Sequence, residues 1–157
     1  MTNINNKKTN NIHLIITKKD IDENNYYIGK VDVSDYTDKV KSITIQNIEL
    51  VQFSGDVYSS GFIQAGGSIV AGVTIEASGF IQAGGSIVAS KFIITKQATI
   101  KAGGSIAAGK GIFSNDSITA GEHIVTGGSI FAGGSITCKE LLNGTVKKGV
   151  LVETDKN

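Results

Sequence analysis

The sequence contains no proline, no tryptophan and no arginine, and it has one cysteine and one methionine in 157 residues. The single cysteine, Cys138, excludes an intramolecular disulfide and a metal cluster built on cysteines. All 15 basic residues are lysines, so the side chain that best recognises phosphate and guanine is missing. Because the net charge is only +1, no long-range field attracts a polyanion. We therefore expect no nucleic-acid partner.

Aromatic residues are also scarce, at 6%, although hydrophobic residues make up 40% of the chain. The core must therefore be filled mainly with Ile, Val and Ala. Twenty glycines without any proline predict corners that are turned repeatedly at glycine. No segment approaches the roughly 18 apolar residues of a membrane span, and the N-terminus lacks the apolar stretch of a signal peptide. We expect a cytoplasmic protein with no membrane partner.

A perfect repeat is the strongest pattern that the sequence contains. Residues 61–71, Gly-Phe-Ile-Gln-Ala-Gly-Gly-Ser-Ile-Val-Ala, recur letter for letter at residues 79–89, which is an offset of 18. Inside each copy isoleucine returns after six residues, and six is not a helical period. The pattern predicts an all-β fold, a parallel β-helix of triangular section with one hexad on each side and about 18 residues in each turn.

The hexad register extends well beyond the perfect repeat. Counting in sixes from Ile63 places an aliphatic residue at every step from Ile45 to Leu142, provided that one residue is inserted between Ile93 and Ile100. Since residues i and i+2 of a strand share a face, Ile63 and Ala65 point inward and the residue between them points outward. Stacking the turns predicts three interior ladders, which are Ile63/Ile81/Ile100/Ile118/Ile136, Ile69/Ile87/Ile106/Ile124/Leu142 and Ile75/Ile93/Ile112/Ile130.

The segments outside the hexads predict the domain organisation. Residues 1–11 are mostly Asn, Lys and Thr and are predicted to be a disordered tail. Residues 12–44 contain two short strand patterns around a charged loop and are predicted to form a small N-terminal β cap. Residues 45–142 are the predicted β-helix, and residues 143–157 are a predicted C-terminal strand and tail.

Two families with 18-residue turns are possible relatives. The left-handed hexapeptide acyltransferases place a small or acidic residue after the aliphatic one, whereas Gln64 and Val70 stand there in this chain. The units Gly-Asp-Val (55–57), Gly-Phe-Ile-Gln-Ala (61–65) and Gly-Ser-Ile-Val-Ala (67–71) resemble those of bactofilins, the polymer-forming bacterial cytoskeletal family. The resemblance covers about residues 51–142. It implies a right-handed helix that associates end to end without nucleotide, although spacing alone does not determine handedness.

One departure from the bactofilin pattern affects assembly. Bactofilin tails are usually short and disordered, whereas residues 12–45 have the composition of a folded segment. A folded cap over one end of the solenoid would block polymerisation through that end.

The repeats offer little that predicts catalysis. His123 is their one histidine, and an enzyme of the acyltransferase type would use it as a general base. Alternation instead places His123 outward, beside Glu122, as a surface histidine. Cys138 occupies a small inward position that elsewhere holds Ala, so we expect a buried thiol. We predict no enzyme, no cofactor and no metal site.

The outward positions predict an interaction surface, because few charges interrupt them. An apolar face of this kind is a candidate for protein contacts. The alternatives are that outward β-branched residues merely suit a strand, or that the cap folds over them. The candidate residues are Val70, Val88, Val125, Ile94, Phe113, Phe131, Phe62 and Phe80.

Beside an acyltransferase-like enzyme, which would require a role for His123, these patterns leave two non-enzymatic functions open. The first is a non-enzymatic, bactofilin-like scaffold that self-associates into homo-oligomers or polymers. The alternative is a capped monomeric or dimeric module that binds one protein partner, such as a small phage- or virus-encoded inhibitor of a host protein. The molar mass measured over a concentration series separates the two, because a scaffold should assemble whereas a capped module should keep a constant mass.

Overall fold

The computed structural model describes residues 12–35 and 40–154. These residues form an all-β parallel solenoid with about six turns of about 18 residues each, in which 61% of the residues are strand and 2% are helix. The predicted fold class is therefore confirmed. The predicted disordered tail at 1–11 and the last three residues of the predicted C-terminal tail lie outside the described residues.

The strands are short in the middle of the chain and long at its end. A 3-10 turn, Lys18–Asp20, follows the first strand. The strands are β1 (Ile12–Ile16), β2 (Val40–Ile45), β3 (Leu50–Phe53), β4 (Val57–Ser59), β5 (Phe62–Ala65), β6 (Ser68–Ala71), β7 (Ile75–Ala77), β8 (Ile81–Ala83), β9 (Ile87–Ala89), β10 (Phe92–Thr95), β11 (Ile100–Ala102), β12 (Ile106–Ala108), β13 (Gly111–Ser114), β14 (Ile118–Ala120), β15 (His123–Cys138) and β16 (Glu140–Glu153).

The strands stack into three parallel sides, one for each hexad of a turn. Side A contains β1, β2, β5, β8, β11 and β14 in that order. Side B contains β3, β6, β9 and β12, and side C contains β4, β7, β10 and β13. Strand β15 pairs with the last member of each side, so it passes along all three sides, and β16 follows it as the final turn. This is the three-sided architecture that the hexad predicts.

The interior consists of the predicted isoleucine ladders. From Ile63 to Ile136 the ladder members are in register between neighbouring strands and are fully buried. Each buried Ile contributes on the order of 2 kcal/mol of transfer free energy. The second inward position of each strand is usually Ala, as at Ala65, Ala83 and Ala102, because it lies beside a corner where little space remains.

The inserted residue lies at the corner that follows β10. Ile81 pairs with Ile100, which is 19 residues later rather than 18, so the predicted slip is confirmed. The longer corner is held from inside by two hydroxyls. Thr95 Oγ1 donates to the carbonyl oxygen of Ala98 at 2.6 Å, and Ser114 Oγ donates to the same oxygen at 2.9 Å.

The predicted register fails at the N-terminal end of the ladders. Ile43, not Ile45, pairs with Ile63. Ile43 and Val51 are eight residues apart, whereas Ile63 and Ile69 are six apart, so the corner between β2 and β3 contains two extra residues. That corner includes Asn47, with a φ of 57°, and it buries the side chain of Ile48.

The register also changes at the C-terminal end. Leu141, not Leu142, pairs with Ile124, and Leu142 is 54% exposed, so its predicted place in the ladder is wrong. Leu151 pairs with Ile136 after only 15 residues. The final turn is therefore shorter than the others. Its corners contain Gly144 and Gly149, whose φ values of 125° and 112° favour glycine.

Residues 12–35 continue the three-sided path as an irregular turn. Strand β1 pairs with β2 on side A, and Tyr26 forms a parallel bridge with Gln52 on side B. On side C the carbonyl oxygen of Val33 accepts a hydrogen bond from the backbone N–H of Tyr58 at 2.8 Å. The predicted boundary between cap and helix, at residues 44 and 45, falls inside β2.

The repeated Gly-Gly-Ser sequence has a structural reason at the corner between sides A and B. Ser68 Oγ accepts a hydrogen bond from the backbone N–H of Ser86 at 3.0 Å, and Ser86 Oγ accepts one from Ser105 at 3.1 Å. The turns also approach closely there, since a Cβ added to Gly84 would overlap the carbonyl oxygen of Gly66. On these turns the corner therefore combines a hydroxyl acceptor with residues that have no side chain.

Candidate interaction surfaces

The structure distributes the eight predicted surface residues over all three sides. Each of them lies beside an inward Ile, either directly after it or directly before it. Val70, Val88 and Val125 lie on side B, and Ile94, Phe113 and Phe131 lie on side C. Phe62 and Phe80 lie on side A. The residues therefore form three separate surfaces, and their role in binding stays a prediction.

The surface on side A is the smallest of the three. The rings of Phe62 and Phe80 stack with centroids 5.0 Å apart and planes 7° apart. The neighbouring outward positions hold the exposed amides of Gln64 and Gln82. Because polar groups border this pair, its main effect is a cross-strand contact that stabilises the sheet.

The surface on side B is a shallow aliphatic column. Val70, Val88, Ala107 and Val125 pair in register on consecutive turns. Their side chains are half-buried, so they expose little apolar surface for a partner to contact. β-branched residues at such positions are also what strand propensity favours.

The surface on side C contains three of the six phenylalanines of the chain. We define the side C patch as Phe92, Ile94, Phe113 and Phe131. The rings of Phe113 and Phe131 stack at 5.2 Å and 12°, and Phe92 contacts Phe113 at 5.9 Å and 58°. Gly111 makes this possible, because a Cβ there would meet the Phe113 ring at 2.8 Å. Phe131 is 37% exposed, and the other three side chains are half-buried.

Lysines border the side C patch. Lys91 and Lys110 lie on consecutive turns at the corner where side C begins, and Lys148 pairs with Phe131 on the final turn. Within residues 12–35 and 40–154 none of these three forms an ion pair. Lys96, by contrast, contacts Glu76, with its Nζ 2.8 Å from the carboxylate Oε1. The patch is therefore apolar in the middle and positive at its edges.

The C-terminal turn forms a further surface, which the sequence analysis did not predict. Strand β16 pairs with β15 along one edge, and no other described strand pairs with it. Its side chains are mostly exposed. The apolar ones among them are Leu142 at 54%, Val150 at 68%, Leu151 at 37% and Val152 at 44% exposure. The apolar run Val-Leu-Val at 150–152 was the available signal, but it lies outside the hexad register.

The chemically reactive side chains of the repeats are His123 and Cys138. His123 is half-buried, and its backbone N–H donates to Ser105 Oγ at 3.3 Å. Ser105 Oγ in turn donates to Glu122 Oε2 at 3.2 Å. Cys138 is only 1% exposed, as predicted. Burial raises the pKa of its thiol, and the charges of Glu153 and Glu140 raise it further.

Two open grooves lie near the N-terminal end. The first has a volume of about 240 Å³ and includes Tyr27, Phe53, Asp32 and Asp56. Burial raises the pKa of the Tyr27 hydroxyl, which donates to the carbonyl oxygen of Val31 at 3.2 Å. In the described part of the chain, no three His, Cys, Asp or Glu side chains are grouped so that they could hold a metal ion.

The second groove has a volume of about 570 Å³ and lies over the glycine corner between sides A and B. The backbone N–H groups of Gly84 and Gly85 on its floor already donate to Ala65 and Gly67 of the preceding turn. These two N–H groups are therefore not free to bind a phosphate. Among the residues described, no helix has the length and apolarity needed to cross a bilayer.

Comparisons of the chain with protein-family models, with curated protein sequences and with solved structures find no match. The resemblance to bactofilins therefore depends on the repeat units alone. What the structure adds is a compatible architecture, a three-sided β-solenoid.

Proposed function

We propose that the protein is a non-enzymatic scaffold that self-associates end to end, as the resemblance to bactofilins implies. The observation that carries the proposal is the outer edge of β16. This strand spans Glu140–Glu153, pairs on one side only within the described residues and exposes apolar side chains. Two features of that edge support association.

The first feature is the backbone. An unpaired strand edge presents a row of N–H and C=O groups that template pairing with another chain. Fourteen residues at about 3.3 Å each make an edge of roughly 45 Å, which is long for an edge strand. Native proteins usually shorten or charge such an edge. Lys147 and Lys148 charge the edge on side C, whereas Val150–Val152 on side A are uncharged.

The second feature is shape. The edge of β16 follows three sides in one turn, so a single straight strand can pair with only one of them. A ligand that pairs along the whole edge must have the same triangular outline. A second copy of this chain has the same triangular outline. This match favours self-association over the binding of a different partner at this edge.

The test is the molar mass of the full chain, measured by light scattering after size exclusion over a concentration series. We expect the mass to rise with concentration, and negative-stain microscopy of the same fractions to show rods longer than one molecule. The double variant Val150→Lys/Val152→Lys should stay monomeric, since like charges at the edge oppose pairing. Both side chains are exposed, so folding should be unaffected.

The matched control is Gln64→Lys/Gln82→Lys, which adds two charges on the outward face of the same side but far from the edge. It should assemble as the wild type does. A wild-type protein that keeps the monomer mass at every concentration would rule out the scaffold. If the control lost assembly to the same extent, the loss in the Val150→Lys/Val152→Lys variant would be due to net charge and not to the edge of β16.

The second candidate function is a module that binds one protein partner. The side C patch favours it, because that surface is lateral and remains accessible whether or not the ends associate. The solenoid would then serve as a rigid support that holds Phe92, Phe113 and Phe131 in a fixed arrangement.

A further inference from the structure

We infer that the side C patch docks a segment of a partner protein that combines apolar side chains with Asp or Glu residues. This inference rests on the second candidate function and names the chemistry of the partner. The residues varied in its test, Lys91, Lys110 and Phe131, lie outside β16, so the two proposals are tested separately.

The centre of the patch determines the apolar part of the partner. Ile94, Phe113 and Phe131 lie on consecutive turns, so at about 4.8 Å per turn the strip is roughly 10 Å long. The rings of Phe113 and Phe131 are already stacked on each other, so they do not need to reorganise when a ligand arrives. A preorganised strip of this length fits two or three apolar side chains of an extended or helical segment.

The border of the patch determines the charged part. The segments that form and border side C on the four turns from β10 onward, residues 91–97, 110–116, 128–134 and 145–149, contain five lysines and one aspartate. Five minus one gives +4, and Glu76, which pairs with Lys96, reduces it to +3. The whole chain has a net charge of only +1, so the positive charge is concentrated on this side. Charges at the rim of an interface select a partner of opposite sign and accelerate its association.

The same observations disfavour two other polyanions. A single-stranded nucleic acid binds by stacking bases on free aromatic faces, but the facing surfaces of Phe113 and Phe131 cover each other. An anionic membrane is entered by side chains that project from the surface, and three of the four patch residues are half-buried. An acidic, apolar protein segment needs neither feature.

The probe is a phage-displayed library of random peptides about twelve residues long, selected on the full-length chain. We expect the selected peptides to be enriched in Asp and Glu together with Leu, Ile or aromatic residues. One selected peptide is then synthesised with a fluorescent label and titrated by polarisation. Its affinity should fall as the salt concentration rises, because exposed charges contribute to it.

Variants locate the site on side C. The double variant Lys91→Glu/Lys110→Glu should lower the affinity for the peptide by at least about tenfold, and Phe131→Ser should lower it by a similar factor. The matched control for charge is Lys101→Glu, an exposed outward lysine on side A. It should bind the peptide as the wild type does. Chemical unfolding of each variant confirms that the fold is retained.

Three results would overturn the inference. Selected peptides that are not enriched in Asp and Glu would contradict the predicted charge of the partner. An equal loss of peptide affinity in Lys101→Glu would contradict the assignment of the site to side C. Binding of oligo-dT or of phosphatidylserine vesicles that depends on Lys91 and Lys110, with no selected peptide, would replace the protein partner by another polyanion. None of these results affects the mass measurements, which test self-association.

Discussion

The hydroxyl oxygens of Thr95 and Ser114 lie 3.1 Å apart inside the solenoid, on consecutive turns, and both point at the carbonyl oxygen of Ala98. The equivalent inward positions on neighbouring turns are Ala77 and Ala132. Ser59, at the equivalent position of an ordinary corner, also has a hydroxyl, which donates to the carbonyl oxygen of Phe62 at 3.2 Å. Thr95 and Ser114 differ from it because both donate to one carbonyl oxygen of the corner that contains the extra residue. They allow one corner to be longer without leaving a buried acceptor unpaired.

Ser114→Ala tests this relationship. Alanine fits the position, as Ala132 shows on the next turn, so the variant should lose only polar contacts. We expect the free energy of unfolding to fall by about 1 to 2 kcal/mol, measured by chemical denaturation. Ser90→Ala, at an exposed corner, should change it by less than about 0.5 kcal/mol. A cost no larger than that of Ser90→Ala would show that the hydroxyl is not needed.

Gly66 and Gly84 occupy the same place in the two perfect repeats but have different surroundings. A Cβ on Gly84 would overlap the backbone of Gly66, whereas nothing lies within 4 Å of a Cβ on Gly66, because the preceding corner is two residues longer. Gly84→Ala should therefore destabilise the protein and lower its melting temperature. Gly66→Ala should be neutral or stabilising by up to about 0.5 kcal/mol. Equal effects in thermal unfolding would contradict the close packing of the turns.

The ladders should be more sensitive in the middle than at the C-terminal end. Ile106→Ala removes a fully buried side chain, and we expect it to cost about 3 kcal/mol of the free energy of unfolding. Leu151→Ala, at a ladder position that is 37% exposed, should cost less than about 1 kcal/mol in the monomer. Denaturant titrations at low protein concentration measure both, and similar costs would indicate that the final turn is buried in solution.

Cys138 should make stability depend on alkaline pH. The unfolded thiol ionises near its ordinary pKa of about 8.5, whereas burial keeps the folded thiol protonated to higher pH. Between the two pKa values the folded state binds more protons, so the free energy of unfolding falls as pH rises. Below about pH 8 the thiol is protonated in both states and has no effect.

Cys138→Ala isolates this contribution, because Ala120 shows that alanine fits the same position one turn earlier. The difference in unfolding free energy between wild type and variant should be constant up to about pH 8 and should then change in favour of the variant. A difference that stays constant through about pH 10 would mean that the thiol is accessible to water.

The sequence predicted the middle of the fold in detail and its ends poorly. Between Ile63 and Ile136 each corner has the length that the repeat implies except the one between Ile93 and Ile100, where counting also located the extra residue. At Ile43 and Leu141 the corners have different lengths, and their lengths depend on Asn47, Gly144 and the packing of Ile48. Counting cannot detect such changes, because an aliphatic residue also stands at the expected positions, Ile45 and Leu142.

The sequence predicted which residues face outward but not which of them share a surface. Alternation identified Ile94, Phe113 and Phe131 as outward, but it did not show that Phe92 joins them. Phe92 precedes an inward residue, as Phe62 and Phe80 do, and that shared position was the available signal. Which residues share a surface depends on the stacking of sides, and only the structure separates the eight candidates into three groups.

The perfect repeat at residues 61–71 and 79–89 has a consequence for how the gene can change. A duplication or deletion of eighteen codons within it would add or remove one whole turn and leave every ladder and corner in place. The length of the rod can thus vary in evolution independently of its cross-section.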